Sequence, residues 1–291
     1  MDYMARALQL ASRALGSCSP NPAVGAVLVR DGEIVGEGAT QPPGQAHAEV
    51  VALRAAGPRA RGSTLYVTLE PCAHFGRTPP CADAIVGAGV AEAHVAMLDP
   101  SPWVNGQGIA ALERGGITVQ RGSHEAAARR LNEPYLCWLE RGRPLVRGIY
   151  ALGLDGRPVR ADGPHLGEAA LAELARLRAT ADRTVTSVDA LLADDPMLTG
   201  LAADGATSLH VEAPPTTLAV LAGRGLLDRL LVFVTPTFSS DGGSLPGEVR
   251  PDSASLGACL STLHAIGFER LGDTVLISGA LTDGPRAPDT P

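Results

Sequence analysis

The chain is 291 residues long, enough for two domains of ordinary size, and 45% of it is hydrophobic, as in proteins that bury a real core. A net charge of −7 and only 3% aromatic residues argue against a surface that neutralises nucleic-acid phosphates or stacks on bases. No apolar run reaches the ~18 residues of a membrane span. The five cysteines are an odd number for a disulfide framework, so a reducing, cytoplasmic setting without membrane partners is expected. All 24 basic residues are Arg; with no Lys, Schiff-base chemistry is excluded and any phosphate clamp must be an Arg.

Met1 leads directly into a helix expected over Asp2–Leu15, where Met4, Leu8, Ala11 and Leu15 share one face, and no secretory leader is expected. Gly16–Pro22 is turn-rich and ends in Pro20-Asn21-Pro22. Val24–Arg30 and Glu33–Glu37 read as strands joined at Asp31-Gly32, a strong hairpin signal. A helix over His47–Ala56, a strand over Thr64–Leu69, a helix over Cys81–Ala88 and a strand over Glu92–Leu98 follow. Asp99-Pro100-Ser101-Pro102 then turns the chain, Gly106-x-Gly108 leads into a short helix, Ile117–Gln120 is a strand, and Glu125–Glu140 is expected as one polar helix. Strands alternating with helices imply a mixed or mostly parallel sheet with helices on its faces. In such sheets ligands sit beyond the strand ends, here Leu69-Glu70-Pro71-Cys72 and Leu98-Asp99.

The chemistry concentrates between His47 and Cys81. Zinc that activates water needs three protein ligands and one open position. His47, Cys72 and Cys81 supply three, and Glu49 is left over as a proton carrier. The H-x-E, then P-C, then C pattern is the signature of zinc-dependent deaminases, in which the Glu is the general acid/base. Pro79-Pro80 would place Cys81 at a helix start, where a thiol ionises more easily. Two blander readings compete: cysteines buried simply as core residues, and a closed zinc staple, for which His74 is the nearby fourth ligand.

Pro20–Val27, His47-Ala48-Glu49-Val50, Thr64–His74 and Gly76-Arg77-Thr78-Pro79-Pro80-Cys81 resemble the riboflavin-biosynthesis deaminase–reductase family over about the first 140 residues. Eight residues separate Cys72 from Cys81, whereas nucleic-acid-editing deaminases place their cysteines two apart. The resemblance implies a cytidine-deaminase-like three-layer α/β/α domain followed by a truncated dihydrofolate-reductase-like α/β domain. It implies hydrolytic loss of the amine from 2,5-diamino-6-(5-phosphoribosylamino)pyrimidin-4(3H)-one or a close relative. His47, Cys72 and Cys81 would hold zinc, and Glu49 would carry the proton. Asn21 would hydrogen-bond the pyrimidine, with Thr40, His74, Arg77, Asp99 and Ser101 around the substrate. Two positions depart from the family, which usually has a His at Thr40 and an Asn at Ser101; both lie where substrate would be held.

The domains are expected at 1–142 and 143–281, with a disordered tail at 282–291 and a linker at Arg141-Gly142-Arg143-Pro144. The second half echoes the reductase at Gly153-Leu154-Asp155-Gly156, Leu177-Arg178-Ala179, Leu192–Thr199 and Leu226–Leu230. The family's Lys and Ser before Leu-Asp-Gly are replaced by Ile149 and Gly153, its Gly-containing turn by Ser187-Val188-Asp189-Ala190, and its Glu-Gly-Gly by Glu212-Ala213-Pro214. Glycines let a backbone approach cofactor phosphates, so this half is expected to lack NADPH and reductase activity. Val185, Leu191-Leu192, Leu218–Leu221 and Leu230–Val234 are expected to form its core. Leu231–Val234 reads either as an interface strand of a homodimer or higher homo-oligomer, or as an interior strand. Three rivals to a deaminase with a silent second domain remain at this level: a fully bifunctional enzyme, a zinc-stabilised scaffold without activity, and a polynucleotide deaminase.

Overall fold

The computed structural model describes residues 1–73, 79–160, 163–186, 196–238 and 263–281. The chain divides into two compact units, the first over Met1–Leu139 and the second from Glu140 onward. No helix among the described residues is long and apolar enough to cross a membrane.

In the first unit, Asp2 caps helix α1 (Tyr3–Ser12) by accepting from the Ala5 amide at 2.9 Å. Strands β1 (Gly25–Arg30) and β2 (Glu33–Ala39) form the expected hairpin, closed by Asp31 and Gly32 at φ 52° and 79°. Helix α2 (Ala48–Ala56), β3 (Thr64–Val67), α3 (Cys81–Ala88), β4 (Glu92–Val95), α4 (Gln107–Arg114) and β5 (Thr118–Arg121) follow. The sheet order is β2-β1-β3-β4-β5, antiparallel across β2, β1 and β3 and parallel from β3 to β5. Both expected strand ends, after β3 and after β4, lie on the parallel side.

Small residues decide how closely α2 lies on this sheet. A Cβ at Gly38 would stand 2.2 Å from the Ala48 carbonyl oxygen, so only glycine admits the helix at this distance. Ala48, Ala52 and Ala56 form the buried face of α2.

The helix expected over Glu125–Glu140 is two helices, α5 (Glu125–Leu131) and α6 (Glu133–Arg141), broken at Asn132. The buried Asn132 carboxamide accepts from the Ala23 amide at 2.8 Å and donates to the Ala23 carbonyl at 3.1 Å. Pro134 has no N–H to donate to the Arg130 carbonyl, so the hydrogen-bond ladder of α5 cannot run on unbroken into α6.

The second unit is built on β6 (Leu145–Gly153), flanked in parallel by β10 (Arg229–Thr235) and β9 (Ser208–Glu212). Its described strands run in the order β11 (His264–Leu271), β12 (Thr274–Ala280), β10, β6, β9, β8 (Arg183–Val185), with β7 (Pro158–Val159) paired to β6. Helix α7 (Gly167–Thr180) packs Ala170, Leu174 and Leu177 against Ile149, Leu231 and Phe233. On the other face Leu198 of α8 (Pro196–Ala203) and Leu218 and Leu221 of α9 (Pro215–Gly223) pack on Val146, Tyr150, Leu209 and Val211. Of the two readings of Leu231–Val234, the structure selects the interior one: β10 lies between β6 and β12, and Phe233 is fully buried. The residues expected as a linker are tied down, because Asp228, itself buried, accepts from Arg141 at 2.6 Å, from Arg143 at 2.7 and 2.9 Å and from the Val146 amide at 2.8 Å. The core residues expected at Leu191-Leu192, the motif at 187–190 and the tail from Thr282 lie outside the described residues.

His210 on β9 is fully buried and its Nδ1 has no hydrogen-bond partner among the described residues. Burial lowers its pKa to about 3, and the Arg147 guanidinium, 3.4 Å from Nε2, pushes the same way against Asp182. The unfolded chain binds this proton below about pH 6.5, the folded chain only near 3, so stability falls as pH drops through that window. Urea unfolding at pH 7 and pH 4 should show the second unit losing roughly 3 kcal/mol through this residue, and His210→Leu should remove that part of the pH dependence. An unchanged pH dependence in the variant would contradict the assignment.

Candidate active site and metal centre

His47 is the N-cap of α2, so its side chain stands at the mouth of the helix while Glu49, two residues on, is buried inside. Cys81 is the first residue of α3, preceded by Pro80 at the N-cap, as the sequence predicts. Cys72 follows β3 and is fastened to α3 from both sides: its carbonyl accepts from the Ala82 amide at 3.1 Å and its Sγ from the Cys81 amide at 3.3 Å. These local bonds bring the three donors together. His47 Nδ1 lies 3.2 Å from Cys81 Sγ and 3.7 Å from Cys72 Sγ, and all three ligand atoms lie within 4.8 Å of one another.

The electrostatics follow from that crowding. The Cys81 thiol and amide, with His47, hold Cys72 toward thiolate, whereas the shared hydrogen bond with Cys72 and burial push Cys81 up. The Cys72 sulfur also raises the His47 pKa despite burial. Burial raises Glu49 to about 7, opposed chiefly by its own backbone amide. One imidazole nitrogen and two sulfurs that share protons in a partly buried triangle are the donor set that zinc takes when it displaces those protons. Among the described residues no fourth His, Cys, Asp or Glu joins the triangle. His74, the sequence candidate for a fourth ligand, lies outside the described residues, as does Arg77. A cleft of about 530 Å³, lined in part by Gln41, Gln45, Val50, Arg54 and Pro80, reaches the His47 imidazole.

The other expected site residues divide into two groups. Thr40 is buried, and its hydroxyl accepts from the Val24 amide at 3.0 Å and donates to the Pro22 carbonyl at 3.2 Å. It thereby fixes the segment that carries Asn21, which is half-buried with its amide bonded to the Cys18 carbonyl at 2.9 Å. Asp99 and Ser101 are buried together in the turn after β4. The Ser101 amide donates to Asp99 Oδ1 at 2.9 Å, and the Tyr135 hydroxyl reaches the same carboxylate at 3.2 Å. Burial pushes both the Asp99 carboxyl and the Tyr135 phenol up, and the hydrogen bond between them pulls Asp99 back down while holding Tyr135 higher.

Two residues escaped the sequence reading. Tyr135 sits 36 positions from its partner Asp99, in a helix without a motif. Glu70 is buried, and each oxygen of its carboxylate accepts two amides of the segment after β4. Oε2 takes Asp99 at 3.3 Å and Gly106 at 3.0 Å, and Oε1 takes Gly108 at 2.9 Å and Ile109 at 3.2 Å. Bonds of this kind to a charged group are worth about 1.5–3 kcal/mol each. The only available signal was the position of Glu70 beside Pro71-Cys72.

The fold and donor set define an α/β deaminase-type zinc domain followed by a second α/β domain. Residues 1–97 match the cytidine and deoxycytidylate deaminase zinc-binding region. The riboflavin biosynthesis protein RibD of Escherichia coli is 48% identical over 200 residues, 68% of this chain and 54% of that protein. The chloroplastic riboflavin biosynthesis protein PYRD of Zea mays is 49% identical over 154 residues, 53% of this chain and 39% of that protein. The aligned sequence thus spans about half the length of the E. coli relative and about two-fifths of the maize one. In structure, Acinetobacter baumannii RibD superposes with a TM-score of 0.74 at 29% identity, covering 96% of this chain and 97% of that one. A Thermotoga maritima diaminohydroxyphosphoribosylaminopyrimidine deaminase/5-amino-6-(5-phosphoribosylamino)uracil reductase shares the fold, with a TM-score of 0.77 at 23% identity. Over the deaminase-like domain and part of the second, reductase-like one, the chain belongs to the RibD family.

The purified protein should carry about one zinc per chain. Stripping it with a chelator should lower the stability of the first unit by about 2.7 kcal/mol or more, the value for a ligand at 100 times its Kd. Cys81→Ser should fail to retain zinc on gel filtration; stoichiometric zinc in that variant would contradict the site.

Proposed function

We propose that the first unit is a zinc-dependent hydrolase that deaminates an aminopyrimidine of riboflavin biosynthesis. The favoured substrate is 2,5-diamino-6-(5-phosphoribosylamino)pyrimidin-4(3H)-one or a close relative. The observation that carries this reading is the triangle of His47, Cys72 and Cys81 with the buried Glu49 carboxyl against it, in a chain of the RibD family.

Zinc, when bound, supplies a Lewis acid that lowers the pKa of a water in its open position. Glu49 would pass one proton of the attacking water to the ring nitrogen and the second, from the added hydroxyl, to the departing amine. Its burial beside the three donors keeps the carboxyl out of bulk water, where it can hand protons between water and substrate. Water adds to the ring carbon, the C–N bond breaks, and ammonia leaves. By the family resemblance, Asn21 would hydrogen-bond the pyrimidine, and His74, Arg77, Asp99 and Ser101 would face the ribose-phosphate side. Thr40 keeps one lone pair beyond its two backbone bonds. Hydroxyls at Thr40 and Ser101 shorten the reach of two contacts, which favours a site tuned to a relative of the riboflavin intermediate.

For the second unit, the likeness to an RibD chain over nearly its whole length supports a bifunctional deaminase and NADPH-dependent reductase better than an inactive partner. The changes at Ile149, Gly153 and Pro214 argue the other way. Pro214 and Pro215 open α9 without backbone N–H groups, the donors that a helix start offers to phosphate. Titration with NADPH separates these readings: micromolar binding supports the bifunctional enzyme, and its absence leaves the deaminase alone.

Ammonia release from the phosphoribosylated diaminopyrimidine tests the main reading. Glu49→Gln should keep zinc and lose about 10²–10⁴-fold in turnover, the usual contribution of a general acid/base. Full activity in that variant would refute the mechanism, and activity only on the dephosphorylated compound would remove Arg77 as a phosphate clamp.

A further inference from the structure

The geometry points to Glu70 as a positioning residue that holds the substrate-binding turn in register with the zinc ligands. The assignment rests on the deaminase reading above. Glu70 leaves β3 two residues before Cys72, and its own amide bonds to the Met97 carbonyl at 3.0 Å. Its carboxylate then gathers the amides of Asp99, Gly106, Gly108 and Ile109, which begin the turn after β4 and open α4. Asp99 and Ser101, the described substrate contacts on that turn, are fixed by the same segment, because the Val104 and Asn105 amides close back on the Ser101 carbonyl at 2.9 and 3.1 Å.

The contact is close on both sides. A Cβ at Gly108 would stand 1.9 Å from the Pro71 carbonyl oxygen, so the start of α4 presses directly on the residue between Glu70 and Cys72. One carboxylate therefore spans the gap between a metal ligand and the substrate turn. Glutamine has nearly the same shape but only one acceptor oxygen; its NH2 would face two amide N–H groups, and half the grip would be lost. The Glu70 carboxylate holds backbone amides of the turn and is not one of the three metal donors, so its effect should fall on substrate affinity.

Glu70→Gln should retain one zinc per chain and keep kcat within a few-fold, while KM for the aminopyrimidine rises about 10-fold or more, as small misplacements of binding groups do. Leu112→Val serves as the comparison, because it loosens α4 from inside the core without touching the carboxylate. A purely structural Glu70 would make the two variants alike in KM at a matched loss of Tm, and that outcome, an unchanged KM, or loss of zinc from Glu70→Gln would overturn the assignment. Amide exchange in the unaltered protein gives a second readout that needs neither substrate nor variant. Protection of Gly106, Gly108 and Ile109 amides comparable to β3 supports the grip, and exchange at open-loop rates refutes it. If the unaltered enzyme releases no ammonia, the substrate reading fails while the exchange result still decides whether Glu70 holds the turn.

Discussion

The approach of α2 to β2 is the constraint on which the site depends. The Ala48 carbonyl lies where a Cβ at Gly38 would have to be, and Ala48 is the residue between His47 and Glu49. Seating that one residue against the sheet places the imidazole at the helix mouth and the carboxylate beneath it. The close fit leaves no room for a larger side chain at Gly38 without moving both groups, so His47 and Glu49 depend on a single packing contact.

A second constraint brings the rest of the site to that pair. The two cysteines arrive on a segment that is bound to the start of α3 through backbone and thiol, and the turn carrying Asp99 and Ser101 is bound to the same segment through Glu70. The zinc-donor triangle and the Asp99–Ser101 turn are thus organised around the end of β3, where a parallel sheet leaves amides and carbonyls without strand partners. Charge-assisted bonds to Glu70 and the Tyr135–Asp99 pair satisfy polar groups that burial would otherwise leave costly.

Much of this arrangement was legible in the sequence because it is local. Asp31-Gly32, the His47–Glu49 step and the Pro79-Pro80-Cys81 helix start each carry their instruction within a few residues, and each element appears where expected. What sequence reasoning missed is carried by contacts that no window contains. Asn132 reaches Ala23 across 109 positions and divides a helix that reads as continuous, Glu70 reaches residues 29 to 39 positions away, and Tyr135 reaches Asp99. In the second unit, an apolar run such as Leu231–Val234 looks the same whether it forms an interface or the middle of a sheet, and only the pairing of β10 with β6 and β12 decides. Asp228 likewise turned an apparent linker into an anchored segment, by drawing in two arginines from more than 80 positions away.

Among the described residues three protein donors meet, so a bound zinc should keep its remaining position open to water. X-ray absorption at the zinc edge of the metal-loaded protein reads that coordination directly. Two sulfur scatterers and one imidazole are expected, with a single oxygen from solvent completing the shell. A second imidazole in place of that oxygen would mark a closed structural site and contradict it.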